Sequence, residues 1–157
     1  MSSVSLREMT GSEFDSWLER LVRTYAEERA RAHGRSPRDA TLEAKEETER
    51  LLPDGRRTSN HFFFRILDQE DPVGWLWVGP QAGNDGAMWI YKIEIDEFSR
   101  SRGIGRLGML AAEQFARSLG AHEVGLNVFG HNLGAIALYE SLGYSTVAKQ
   151  MRKPLAD

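Results

Sequence analysis

Three arginines, Arg100, Arg102 and Arg106, surround Gly103 and Gly105, and residues 98–106 contain no acid. Guanidinium groups offer planar, charge-assisted donors that suit phosphate oxygens, and glycines let an anion approach the backbone. Upstream, Tyr91, Ile93 and Ile95 alternate with Lys92 and Glu94, which predicts a strand. Downstream, Leu107, Leu110, Ala111, Gln114 and Phe115 are spaced at three and four, which predicts a helix. A helix that opens just after such a loop presents unpaired N–H groups and the positive end of its dipole. Residues 90–110 therefore read as a binding site for a phosphorylated cofactor.

Two common phosphate sites do not fit this context. Gly103-Ile104-Gly105-Arg106-Leu107-Gly108 matches G-x-G-x-x-G, but that fingerprint needs its first glycine directly after the strand. Here the charged segment 96–102 intervenes, and the next strand ends at Asn127-Val128-Phe129 without the acid that would hold a ribose. No Lys-Ser/Thr pair follows the glycines, so this is not a P-loop.

Arg100-x-x-Gly103-x-Gly105 after a strand resembles the pyrophosphate loop of the GNAT superfamily of acetyl-CoA-dependent N-acetyltransferases, Q/R-x-x-G-x-G/A. Asn132 and then Leu138-Tyr139-Glu140-Ser141-Leu142-Gly143-Tyr144 resemble that family's second segment, in which a strand and an asparagine precede a helix ending in Leu-Tyr-Glu-x-Leu-Gly-Phe/Tyr. The two motifs stand in the family's order over residues 87–147; the N-terminal half resembles it in layout more than in residues.

The resemblance implies acetyl transfer to a primary amine by direct attack in a ternary complex. Arg100, Ser101, Arg102, Gly103, Ile104, Gly105 and Arg106 would hold the pyrophosphate, and the backbone of Ile93, Glu94 and Ile95 would pair with the pantetheine arm. Asn132 and Tyr139, seven apart, drift only about 20° around a helix and face one way. The resemblance makes Asn132 a cofactor contact; a plain N-cap is the other reading, and both can hold. It makes Tyr139 the proton donor to the departing thiolate, against a core tyrosine on an amphipathic helix. Some members carry a glutamate base on the strand before the asparagine loop, where this chain has Asn127. Glu94 is the candidate base, acting through water, unless it only lines the groove or pairs with Lys92 or an arginine. Tyr25 or Glu28 is a further candidate to meet the acceptor, which the first two helices and the strand of Trp75 and Trp77 should wall. Trp75 and Trp77 share a face, and such a pair is more often simply core.

Composition narrows the classes. The chain has 157 residues, 41% of them hydrophobic, which suits one domain over 1–157 with a real core. No stretch approaches 18 apolar residues and the start lacks a signal pattern, so a cytoplasmic chain without a membrane partner is expected. A net charge of −3 argues against nucleic acid as the main partner. With no cysteine there is no disulfide, thiolate metal site or acyl-cysteine route, and His61, His122 and His131 are unclustered, so no metal is expected. The partner is a small-molecule or peptide amine, and a homodimer is compatible with the sequence. Two alternatives remain: an acetyltransferase for protein lysines or N-termini, and a GNAT domain that binds acyl-CoA without turnover.

The elements that must position these groups follow in order. Residues 4–9 form a strand, and Thr10 or Ser12 caps a helix with the stripe Phe14, Trp17, Leu18, Leu21, Val22 and Tyr25, stopped by Gly34. Ser36-Pro37 opens a second, solvated helix that ends at the turn 53–55. Strands at 61–67 and 73–78 flank a turn at 68–72, and a loop at 79–86 leads to the central strand. Then come a helix at 104–119 closed by Gly120, a strand at 123–128, a helix at 132–142 closed by Gly143, and a last strand at 144–151. The predicted fold is α/β with a mixed, mostly antiparallel sheet, splayed between its fourth and fifth strands, and helices on both faces: the GNAT layout.

Overall fold

The computed structural model describes residues 3–156, and by contacts the chain divides into two units, one ending at Leu126 and one beginning at Asn127. In the first, β1 (Val4–Glu8), β2 (Phe62–Asp68), β3 (Asp71–Gln81), β4 (Asn84–Ile95) and β5 (Glu123–Leu126) make one sheet in sequence order. The first four pair antiparallel and β5 joins β4 in parallel, as a mixed α/β sheet of the predicted kind requires.

Period-two alternation decides what each face holds. Phe63, Trp75 and Trp77 turn to the face covered by α1 (Gly11–His33), where they pack with Phe14, Trp17 and Leu21. Trp17 and Trp77 meet edge to face at 5.8 Å, and each is 1% exposed, so truncating either to alanine is expected to cost about 3–5 kcal/mol. Phe62 and Phe64 turn to the opposite face, where both meet the ring of Phe115 on α3 (Ile104–Ser118) at 4.9 Å. Helices thus cover both faces. α2 (Pro37–Leu51) packs on α1 through Ala26, Ala40 and Ala44, whose small side chains admit a close approach, and Arg29 with Glu47 adds an ion pair.

The caps follow the sequence. Thr10 closes a capping box with Glu13, and Ser36 accepts from the Asp39 amide with Pro37 behind it. Three expectations fail in whole or in part. Residues 79–86 are not a loop: β3 runs to Gln81 and β4 starts at Asn84, around a two-residue turn that Gly83 makes with φ +79°. The hairpin tip is irregular, Pro80 pairing with Met88 but Gln81 with Asn84, and the polar run Gly79–Gly86 conceals such a tip. In the second unit, α4 (Leu133–Ser141) forms behind Asn132, but residues 144–151 form no strand. Strand formers need a ladder to add to, and α4 is the unit's only regular element among the described residues. The strand predicted for 123–128 also stops early, at Leu126.

Candidate active site

The β4–β5 ladder covers Ala87 to Ile90 against Glu123 to Leu126 and stops there, while β4 runs on to Ile95. Just past that point β4 bulges. Val78 pairs with Ile90 and Trp77 with Lys92, so Tyr91 is the extra residue. The bulge corrects the sequence-based alternation. Tyr91 does not share a face with Ile93 and Ile95; its ring stacks on Trp77 at 4.5 Å, on the α1 side. Its hydroxyl donates to the Pro80 carbonyl at 2.7 Å, and burial pushes its pKa up. Tyr91, Lys92 and Glu94 therefore all face α1, and Ile93 points to the α3 side, where it lies beside Gly108.

On the α1 side a cleft of about 230 Å³ is lined by Trp17, Arg20, Leu21 and Thr24 of α1 and by Lys92 and Glu94 of β4. Arg20 Nη2 stands 3.7 Å from Glu94 Oε1, and its guanidinium lies 4.9 Å from the Trp75 ring centre. Glu94 is thus in a cleft and paired with an arginine at once, which joins two of the sequence-based alternatives. Arg20, Thr24 and the cleft role of Lys92 escaped the sequence reading. The only available signal was that Arg20 and Thr24 lie three and seven residues beyond Trp17 on one helix. Neither Tyr25 nor Glu28 lines this cleft; Tyr25 packs on the core, and burial raises its pKa to about 12. No residue of α2 lines it, and Trp75 and Trp77 are buried core beneath it.

After Ile95 the chain makes one 3-10 turn, Glu97–Ser99, and enters the arginine loop. Arg100 Nε donates to the Ile95 carbonyl at 3.0 Å, tying the loop to the end of β4 with one of its five N–H groups. Arg102 Nη2 meets Asp68 Oδ2 at 2.7 Å. Ser101 and Gly103 are both left-handed, with φ of 64° and 74°, and a left-handed residue ahead of a helix turns successive N–H groups to one side. Among the described α-helices, α1, α2 and α4 carry a side-chain cap and α3 does not, because Gly103 has nothing to cap with. The first-turn amides of Ile104, Gly105 and Arg106 thus stand at a helix start with no capping side chain and no acid within residues 98–106, which fits an anion.

In the second unit Asn132 is a true N-cap, accepting from the Ala135 amide at 3.2 Å. Tyr139 is half-buried with its ring 6.0 Å from that of Tyr144, and burial pushes its hydroxyl pKa up. His61 accepts from Trp77 Nε1 at 2.9 Å, with burial lowering its pKa; His131 stacks on Phe129. Among the described residues no group of three or more His, Cys, Asp or Glu side chains is placed to hold a metal, and no helix is long and apolar enough to cross a membrane.

The Acetyltransferase (GNAT) family model matches residues 15–144. The chain is 31% identical to the "uncharacterized N-acetyltransferase YdgE" of Bacillus subtilis, over 96% of this chain and 98% of that one. It is 34% identical to the "uncharacterized N-acetyltransferase YycN" of the same organism, over 98% and 99%. The crystal structure of YycN superposes with a TM-score of 0.89 over 99% of this chain and all of that one. An aminoglycoside N-acetyltransferase in complex with CoA, 13% identical, shares the fold with a TM-score of 0.58 over 99% of this chain and 96% of that one. The chain belongs to the GNAT family of acetyltransferases and is accordingly an acyltransferase.

Proposed function

We propose that this chain, acting as one domain over 1–157, moves an acetyl group from acetyl-CoA to a primary amine by direct attack in a ternary complex. The observation that carries it is the departure of β4 from β5 at Ile90, with a bulge that turns Glu94 into a cleft on the strand that leads into the arginine loop and an uncapped helix start. Acetyl-CoA supplies the thioester carbonyl. The residues that would hold it are the backbone of Ile93, Glu94 and Ile95, the loop Arg100, Ser101, Arg102, Gly103, Ile104, Gly105 and Arg106, and Asn132. Splayed strand edges offer unpaired N–H and C=O groups, and helix starts offer N–H groups to anions.

In the α1–β4 cleft, Glu94 takes a proton from the incoming ammonium through water, because an alkylamine with a reference pKa of about 10.4 is charged at neutral pH. The amine nitrogen forms the C–N bond as the C–S bond breaks, and the electron pair leaves on sulfur. The Tyr139 hydroxyl donates its proton to that sulfur, the second proton on nitrogen leaves to solvent as the amide forms, and solvent returns a proton to the phenolate. Its role rests on the Leu138-Tyr139-Glu140-Ser141-Leu142-Gly143 motif and on a raised pKa, which keeps the hydroxyl protonated and able to donate. A cytoplasmic setting and an acceptor that is a small molecule or a peptide complete the proposal. The test is acetyl-CoA with a panel of amines and peptides, reading free thiol against time and product mass. Time-dependent thiol release with a product 42 Da heavier, the mass of one acetyl group, is expected. Tight acetyl-CoA binding without thiol release from any acceptor would make the chain a non-catalytic binder.

A further inference from the structure

Two arginines share the Trp75 ring, and they differ in one respect. Arg65 lies 3.6 Å from the ring centre and is hydrogen-bonded through two nitrogens: Nε donates to the Gly74 carbonyl at 3.0 Å and Nη1 to Glu13 at 3.2 Å, while Nη2 only faces Asp96 at 3.7 Å. Arg20 lies over the same ring, yet its Nη2 is buried with no hydrogen-bond partner. At 3.7 Å Glu94 is near enough for charge attraction and too far for a hydrogen bond. A buried guanidinium N–H is rarely left without an acceptor, and the Arg20 side chain, 35% exposed, lines the cleft.

We propose that Arg20 reads the acceptor: the amine this chain acetylates carries a carboxylate, and the exposed part of the Arg20 guanidinium donates to it. This rests on the α1–β4 cleft being the acceptor's, as proposed above. Charge selects the class. The lining holds two cations, Arg20 and Lys92, and one anion, Glu94, and no acid pairs with Lys92 among the described residues. The cleft therefore favours one extra negative charge, which a monocarboxylate supplies and a polyamine does not. Size agrees, because about 230 Å³ is below the usual range of roughly 300–1,000 Å³ for drug-sized ligands, so the group that enters is of amino-acid dimensions. The Trp75 ring supports the guanidinium at 4.9 Å, and the 35% of the side chain that stays exposed leaves N–H groups for a carboxylate. With the carboxylate on Arg20, the ammonium of the same amino acid comes within reach of Glu94, which stands 3.7 Å from Arg20.

The experiment compares L-amino acids with their carboxamides at saturating acetyl-CoA, by thiol release, for wild type, Arg20→Gln and Arg20→Lys. The quantity read is kcat/KM for acid over amide. Its change on mutation cancels the different amine pKa values of the two series. Wild type should prefer at least one acid, Arg20→Gln should cut that preference about 10–100-fold, as loss of a charge-assisted hydrogen bond does, and Arg20→Lys should keep part of it. Equal losses on acid and amide would show that Arg20 only positions Glu94, and would overturn the proposal, as would a wild type that prefers amides. Thermal shifts with the CoA-saturated proteins give an arm independent of turnover. Amino acids should raise Tm for wild type and not for a folded Arg20→Gln, and no shift by any of them overturns the proposal. If such a shift appears but no acceptor is ever acetylated, recognition by Arg20 stands and the acetyl-transfer reading falls.

Discussion

Tyr139→Phe removes one hydroxyl and keeps the ring beside Tyr144. A proton donated to sulfur is needed only as the C–S bond breaks, so its loss should lower kcat and leave ground-state binding alone. A fall of about 10–1000-fold in kcat is expected, with calorimetric CoA affinity unchanged. Wild-type turnover on the true acceptor would make Tyr139 structural. Glu13 carries a stability prediction. Both its oxygens accept from the Arg7 guanidinium, at 2.9 and 3.0 Å, and Oε1 also accepts from the Thr10 amide at 2.9 Å. Chiefly through the Arg7 bonds, its pKa falls from 4.5 to about 2. A carboxylate whose pKa is lowered by folding stabilises the fold above its unfolded value, and that stability drains away as pH falls toward the folded one. Glu13→Gln should therefore cost about 1–3 kcal/mol at neutral pH, and the gap to wild type should close between about pH 4.5 and 2. Urea melts across that range measure it; a gap that does not change with pH refutes the charge-based account.

At the scale of elements, β4 is what the site depends on. Gly74 of β3 sits against it so closely that an added Cβ would lie 2.5 Å from the Glu94 carbonyl oxygen, which is backbone and cannot swing aside. Gly74→Ala should push the two strands apart at Glu94 and cost about 1–3 kcal/mol by overpacking. In the folded fraction, kcat/KM should fall as well, because Glu94 moves with its strand; melts and steady-state rates on one preparation test both. The start of α3 behaves differently. Gly105 lies in its first turn, and a β-branched residue is tolerated in a helix at a cost of under about 1 kcal/mol. Gly105→Val should thus weaken CoA binding far more than stability, if phosphate oxygens approach that backbone. Unchanged affinity in the folded variant places the pyrophosphate elsewhere.

For the whole molecule, a ligand that binds only the folded chain raises stability by mass action, about 2.7 kcal/mol at a hundredfold excess over Kd. For a chain of 157 residues that is a Tm rise of roughly 5–10 °C. Coenzyme A should produce it and NAD(H) should not; the reverse pattern in a thermal-shift assay removes the cofactor assignment.

What the sequence determined by itself is local. Thr10 and Glu13 cap a helix because their groups lie three residues apart, Gly34 and Gly103 take left-handed turns because they lack a Cβ, and the loop 98–106 is free of acids. Those patterns were enough for the layout, the family resemblance and the arginine loop. Three things were decided only by tertiary structure. The bulge at Tyr91 depends on how β4 pairs with β3, and a run of alternating residues looks the same with or without it. The turn at Gly83 replaced a loop because two strands found a register across it. Arg20 and Glu94, 3.7 Å apart, lie far apart in the chain. They meet because Trp17 and Leu21 bury the face of α1 that carries Arg20 against a strand paired long after α1 in sequence. Contacts between such distant residues follow from which apolar faces pack, and single-residue spacing does not encode that.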